Sequence, residues 1–203
     1  MASPGLSRRS FLGAIPLTVL ATPSFAHGLS SPRRRPATGQ EGPGPGFLAP
    51  FSPEEAAAVA ASPMAREIAG LEGKGYPCSE MMLLAALRRF DLSEEHLDAA
   101  AVFGGGVGKR DLCGFLTGGL MAIGFASGHR YRDRRAVHQV GRRASNAYWD
   151  WWLSRGDLHC MGSGTEHEDA EQFVRMAQRG ALKLEEVLGV LMEGGFEGAG
   201  RPE

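Results

Sequence analysis

The chain has 203 residues, a formal net charge of −1, and 22% charged against 43% hydrophobic residues. That is enough for one buried core of ordinary domain size, and the charge balance supplies no field for nucleic acid or an anionic membrane surface. No apolar run reaches the roughly 18 residues that span a bilayer, so no transmembrane segment is expected in the mature chain. The three cysteines are an odd number, which a fully paired disulfide framework cannot use up.

Ser7-Arg8-Arg9-Ser10-Phe11-Leu12 carries paired arginines followed by Phe-Leu, the mark of a twin-arginine signal. An apolar stretch follows over 11–21, and Ser24-Phe25-Ala26 places small residues where signal peptidase reads. Residues 1–26 therefore read as a signal peptide cleaved after Ala26, and the protein as exported or periplasmic. Cleavage removes two arginines and no acid, taking the net charge from −1 to −3. The twin-arginine route carries folded chains. A cofactor inserted before export is one common reason to fold first; travel with a partner subunit is the competing one.

Residues 27–50 are rich in Pro, Gly and Ser, with Arg33-Arg34-Arg35 and Gly42-Pro43-Gly44-Pro45-Gly46, and read as a flexible leader. Residues 51–195 read as one helical domain and 196–203 as a tail. Ser52-Pro53-Glu54-Glu55 is a helix start with a capping serine, a first-turn proline and a glutamate three residues after the cap. Ser62-Pro63 starts a second helix that ends near Leu71, before Gly73 and Gly75. From Cys78 to Phe90 comes a helix whose middle, Met81 to Leu87, is apolar on every side and so belongs in a core. A short helix over 93–102 leads to Gly104-Gly105-Gly106-Val107-Gly108, which breaks the chain. A second buried helix over 112–125, studded with Gly114, Gly118, Gly119 and Gly124, should pack face to face with the first.

The helix over 132–153 is amphipathic, with Ala136, Val140, Ala144, Ala147 and Trp151 on one stripe and arginines opposite. Thr165 with Glu168 forms a capping box for a last helix through Phe173, Ala177, Leu184, Val187 and Leu191. No segment alternates as a half-buried strand does. The fold class is all-α: a compact bundle of about six to seven helices with two buried central ones.

Cys78 and Cys113 both fall where a buried helix begins. Unpaired amide N–H groups and the positive helix end should lower a thiol's pKa there and favour the thiolate that binds metal or attacks a disulfide. The bland alternative is cysteines serving as small core hydrophobes. Cys160 lies in Asp157-Leu158-His159-Cys160-Met161-Gly162, a loop that could fold back onto the other two.

Tyr76-Pro77-Cys78-Ser79-Glu80, Phe103-Gly104-Gly105-Gly106-Val107-Gly108 and Leu112-Cys113-Gly114-Phe115-Leu116-Thr117-Gly118-Gly119-Leu120-Met121-Ala122-Ile123-Gly124 together resemble the C_GCAxxG_C_C family of redox-active proteins. The resemblance runs over about 75–191, and Cys160 stands where the family's third cysteine falls. The same pattern resembles the cysteine domain of split-Soret cytochromes, which implies an iron–sulfur site of the two-iron (2Fe–2S) type held by Cys78, Cys113 and Cys160. Two departures stand out. Phe115 replaces a small residue, and the fourth cysteine expected over 175–183 is missing, with Gly180 or Ala181 about there. Histidine can replace cysteine on one iron, so His159 and His167 are the nearest candidate ligands, although a surface or capping role is the commoner one for a histidine in such polar sequence. There is no Cys-x-x-Cys-His, so haem attachment is not implied.

Gly104 to Lys109 does not make a phosphate loop: Phe103 stands five positions before Gly108 where glycine is needed, and Arg110 replaces the Ser or Thr that would bind magnesium. Nucleotide binding is rejected. Arg130, Arg132, Arg134, Arg135, Arg142 and Arg143 read as a solvated face, with docking of an acidic redox partner as the alternative. Tyr148, Trp149, Trp151 and Trp152 read as core and rim packing that could also shield a cluster.

The leading expectation is an exported electron-transfer protein with an iron–sulfur centre on Cys78, Cys113 and Cys160, served by a redox partner protein. Zinc or copper(I) would also suit three thiolates. A thiol–disulfide oxidoreductase cycling Cys78 with Cys113, and a binding subunit without redox chemistry, are the alternatives. A homodimer is compatible with the sequence.

Overall fold

Helix starts in this chain are set by short side chains that accept amide N–H groups. Ser52 Oγ accepts from the Glu55 N–H at 3.2 Å and opens α1 (Pro53–Ala61). Ser62 Oγ accepts from the Ala65 N–H at 3.0 Å and opens α2 (Pro63–Leu71). Both helices begin with proline, whose missing N–H is one a first turn cannot use. Gly73 and Gly75, at φ of 71° and 87°, turn the chain into α3 (Cys78–Arg89). The expected short helix is present as a 3₁₀ helix, Glu94–Phe103, and the glycine run as one wide turn, Gly106–Arg110. The last three helices are α4 (Gly114–Arg130), α5 (Arg134–Arg155) and α6 (Ala170–Met192).

The computed structural model describes residues 46, 47, 49–156, 158–160 and 170–197, all inside the compact unit Gly39–Glu203. The signal motif, the Thr165–Glu168 capping box and His167 lie outside the described residues. Among the described residues there is no strand, only an isolated antiparallel bridge between Leu112 and His159. The all-α reading holds, and no described helix is long and apolar enough to cross a membrane.

The centre is the pair α3 and α4, the most extensive helix contact in the domain. All residues from Met81 to Leu87 are buried, as an all-round apolar helix requires. The approach is close because α4 is stripped of side chains where it meets its neighbours. A Cβ on Gly118 would collide with the Ser79 carbonyl, and one on Gly119 with the Tyr148 ring. α2, α5 and α6 surround this pair. On α5 the innermost residues are Val140, Ala144, Tyr148 and Trp152, while Trp151 is half-buried.

Arg179 is a core residue at 1% exposure, which an apolar stripe does not foretell. Its guanidinium donates to both Glu55 carboxylate oxygens at 2.7 Å, and to the carbonyls of Phe47, Ala49 and Pro50 at 2.6, 2.8 and 3.2 Å. Phe47 is buried against Trp152, ring centroids 4.5 Å apart. The chain just before α1 thus belongs to the packed domain.

Candidate functional site

Three chain segments bring the cysteines together. Cys78 is the first residue of α3 and Cys113 the N-cap of α4. Cys160 is carried in by a short antiparallel stitch: the Cys113 N–H donates to the Leu158 carbonyl at 2.8 Å, and the Cys160 N–H to the Asp111 carbonyl at 2.6 Å. All three are free thiols, Cys113 buried and the others half-buried.

Missing Cβ atoms make room for the sulfurs. The Cys78 Sγ occupies the space a Cβ on Gly114 would need, directly beside Cys113. A Cβ on Gly106 would stand 2.8 Å from the Cys160 Cβ and 2.5 Å from the Asp111 nitrogen. Gly104 is pressed against the Pro77 ring in the same way. The glycine turn thus packs beside Pro77 and Cys160, while the Cys78 sulfur lies against the start of α4, which Cys113 caps.

That turn is left-handed over most of its length. Gly105, Gly106, Val107, Gly108 and Arg110 have φ between 58° and 64°, and the Asp111 N–H closes the turn on the Gly106 carbonyl at 3.0 Å. Glycine adopts this backbone freely, whereas Val107 and Arg110 carry a steric cost of about 1–2 kcal/mol each. Backbone strain of this kind collects at functional sites. One product is visible here: the Gly105 N–H is turned toward the Cys78 sulfur, joining those of Cys78 and Ser79.

The Cys78 and Cys113 thiols are nonetheless held neutral. Burial pushes the Cys113 thiol from 9.0 up to about 12, helped by the charges of Cys78 and Cys160, against the pull of the Leu116 and Phe115 N–H groups. Burial also raises Cys78, and the Cys160 charge adds to it, while the Gly105, Ser79 and Cys78 N–H groups oppose. The expectation of lowered pKa values at these helix starts is corrected on this point. The amide donors are in place, but desolvation and mutual repulsion of three sulfurs outweigh them. The charge of Cys160 acts on both Cys78 and Cys113, and that of Cys78 on Cys113.

The candidate fourth ligand is less well placed. His159 is exposed at the surface, its Nε2 3.6 Å from Asp111 Oδ1. Gly180 and Ala181, about where a fourth cysteine was expected, lie in the core: Gly180 abuts Trp152 and Met82, and Ala181 is fully buried. Phe115, where a small residue was expected, is buried with its ring 4.9 Å from that of Phe173. Among the described residues, no three His, Cys, Asp or Glu side chains are gathered tightly enough to hold a single metal ion.

Sequence reasoning did not single out the hydroxyl of Tyr148. It is fully buried, and its pKa is pushed well above 10.0 by burial and then by the charge of Cys113. Beforehand Tyr148 read as core and rim packing that could also shield a cluster, which marks its ring and not its hydroxyl.

Comparison with curated proteins and with solved structures finds no match. Residues 76–190, more than half of the chain, match the family described as "Putative redox-active protein (C_GCAxxG_C_C)". The matched region contains all three cysteines, the glycine turn and α3 through α5. The family name spells four cysteines and this chain has three, but the match covers the whole site, and the chain belongs to the C_GCAxxG_C_C redox-active family.

Proposed function

We propose that Cys78, Cys113 and Cys160 work as one redox centre in an exported electron-transfer protein, and that the group they hold is an iron–sulfur cluster of the two-iron type. The observation that carries this is that three free thiols from three separate segments are brought to the start of α4 and the strained glycine turn before it. A cluster, when bound, supplies one-electron chemistry. The chain's own part is to present three sulfurs, to aim amide N–H groups at two of them, and to keep water from Cys113. Hydrogen bonds of this kind favour the more negative, reduced state of a sulfur-ligated centre. Zinc or copper(I) is less well supported, since the donors are not drawn into single-ion spacing. The fourth ligand is assigned to His159 or His167, and electrons pass to and from a redox partner protein.

The test is the iron and sulfide content and visible absorption of protein purified without oxygen. Cys78→Ser, Cys113→Ser and Cys160→Ser should each lose both, because a centre fails with any ligand. His159→Ala and His167→Ala identify the fourth ligand. Full iron retention in Cys160→Ser would overturn the one-centre reading.

A second reading is favoured by one observation: Cys78 is half-buried and its sulfur lies directly beside the start of the helix capped by the fully enclosed Cys113. That suits a dithiol in which Cys78 attacks a substrate disulfide and Cys113 resolves the mixed disulfide. The substrate gains two electrons and two protons, and the Cys78–Cys113 disulfide remains. Cys160→Ser would then be nearly silent, while either of the other two variants would abolish cycling.

A further inference from the structure

Val107 holds a left-handed backbone that glycine would hold without cost. It stands at φ 58° between Gly106 and Gly108, and at 43% exposure its packing does little to offset the strain. A β-branched side chain at such an angle is rare, and strain of this kind persists where a residue has a use. Val102, at 70%, is exposed further still, and the two are among only four exposed large apolar side chains in the described residues. Lone apolar residues at a surface are ordinary, but this pair brackets the stretch that walls the cysteines. The Phe103 carbonyl, next to Val102, would be 3.2 Å from a Cβ on Gly114, where the Cys78 sulfur also packs. Gly106, next to Val107, is buried, and its Cβ would be 2.8 Å from that of Cys160. Each valine is thus a single residue removed from atoms that touch the site. Between Phe103 and Gly128 the charged residues are Lys109, Arg110 and Asp111, all exposed, and Asp111 is 3.6 Å from His159. The acids of the preceding 3₁₀ helix, Glu94, Glu95 and Asp98, stand in its first half, before Val102. A second positive face, Arg130, Arg132, Arg134 and Arg135, gathers at the far end of α4, whose 17 residues put it about 25 Å from Cys113. Electron tunnelling falls exponentially with distance, so a partner seated there would exchange slowly with the cysteines, and one seated on Val107 would not.

We infer that the glycine turn is the docking face of the redox centre, with Val102 and Val107 as its apolar contact and Lys109 and Arg110 as its cationic rim. The partner it fits is a small electron carrier with an acidic rim around an apolar contact of its own. This rests on the reading of the cysteines as a redox centre. In the encounter one electron leaves the reduced centre and reduces the carrier's metal, and no atom is transferred. Opposite charge speeds the approach, and burial of the valines holds the pair in register.

The experiment mixes the full chain, reconstituted with iron and sulfide and reduced, with two oxidised probes in stopped flow. One is an acidic plastocyanin, followed by loss of its copper(II) colour; the other is basic cytochrome c, followed at its haem band. The rate with the acidic probe should fall as salt rises, and the rate with the basic probe should not. Lys109→Glu should slow the acidic probe about tenfold at low salt. Val107→Gly should slow it about threefold at every salt concentration, since under half of that side chain is left to bury. The opposite salt dependence, or rates in both variants equal to the parent's, overturns the inference. So does a slowing produced instead by Arg134→Glu with Arg135→Glu. Docking is also read without the cluster, from backbone amide shifts of the isotope-labelled, metal-free chain on adding copper(I) plastocyanin. Shifts should concentrate over 102–110 and shrink in Lys109→Glu; shifts confined to other residues, or none, overturn the inference. If the parent takes up no iron and sulfide, the cluster reading fails and this second measurement still decides the docking face.

Discussion

At the scale of single residues, the site is a compromise between burial and charge. Val107 sits at φ 58° while 43% exposed, so it has strain and little packing to compensate. Val107→Gly should raise stability by about 1 kcal/mol in urea unfolding, since glycine has no steric cost in left-handed backbone. Gly106→Ala should do the reverse, because its Cβ meets Asp111 and Cys160 backbone-side atoms that cannot swing away. Cys113 gives a pH prediction. Its folded pKa of about 12 lies above the ordinary 9.0, so the folded metal-free chain holds a proton that the unfolded chain has released. Its contribution to stability is whole below pH 9.0 and drains away as the pH climbs toward about 12. Denaturation midpoints of the metal-free protein should therefore fall across that window, and Cys113→Ala should flatten the fall. In the native state at pH 8, iodoacetamide should label Cys78 and Cys160 well before Cys113, read by mass spectrometry.

At the scale of elements, α6 does more than cover the core. Through Arg179 it ties the chain before α1 to the bundle with a fully used guanidinium. Removing it leaves three backbone carbonyls and a half-buried carboxylate without their donor, so Arg179→Ala should cost about 2–3 kcal/mol. Arg179→Lys should not rescue it, because an ammonium cannot reproduce the planar fork. The Arg179 guanidinium holds Glu55 below its ordinary 4.5, so this contribution is present above that pH and is lost as the pH falls through the depressed value. Urea titrations at pH 7 and pH 3 should show the Arg179→Ala penalty shrinking at the lower pH. The helices themselves were legible in the chain, because caps such as Ser52 and Ser62 and the all-apolar run in α3 are local signals. Arg179 was not. Nothing in its neighbourhood in sequence reports that Phe47 and Glu55 await it from the far end of the domain. The three cysteines were legible as a set, but the raised pKa values of Cys78 and Cys113 were not, since helix ends can be read from sequence and desolvation cannot.

At the scale of the whole molecule, the packing order explains why folding before export would matter. The cysteines come from the start of α3, the start of α4 and a loop after α5, so no two of them are held by one local element. A site of that kind exists only when the bundle is assembled, and a chain threaded unfolded across a membrane would leave without it. The interior that results is tight: the Cys78 sulfur fills the gap at Gly114, and Phe115 with Phe173 closes the adjoining space. Because Cys113 is buried, iron and sulfide reaching it after folding would need a local opening there. Loading during folding in the cytoplasm avoids that step, and the Arg8-Arg9 motif fits a route that accepts the folded product. Replacing Arg8 and Arg9 together by Lys should then leave an iron-loaded precursor in the cytoplasm, uncleaved at Ala26. The same precursor carrying Cys113→Ser should be exported poorly or as apoprotein if loading gates export, and normally if it does not. Fractionation with iron analysis reads both. Efficient export of the double lysine variant would remove the twin-arginine assignment, and with it the reason for expecting the centre to be filled before the protein leaves the cell.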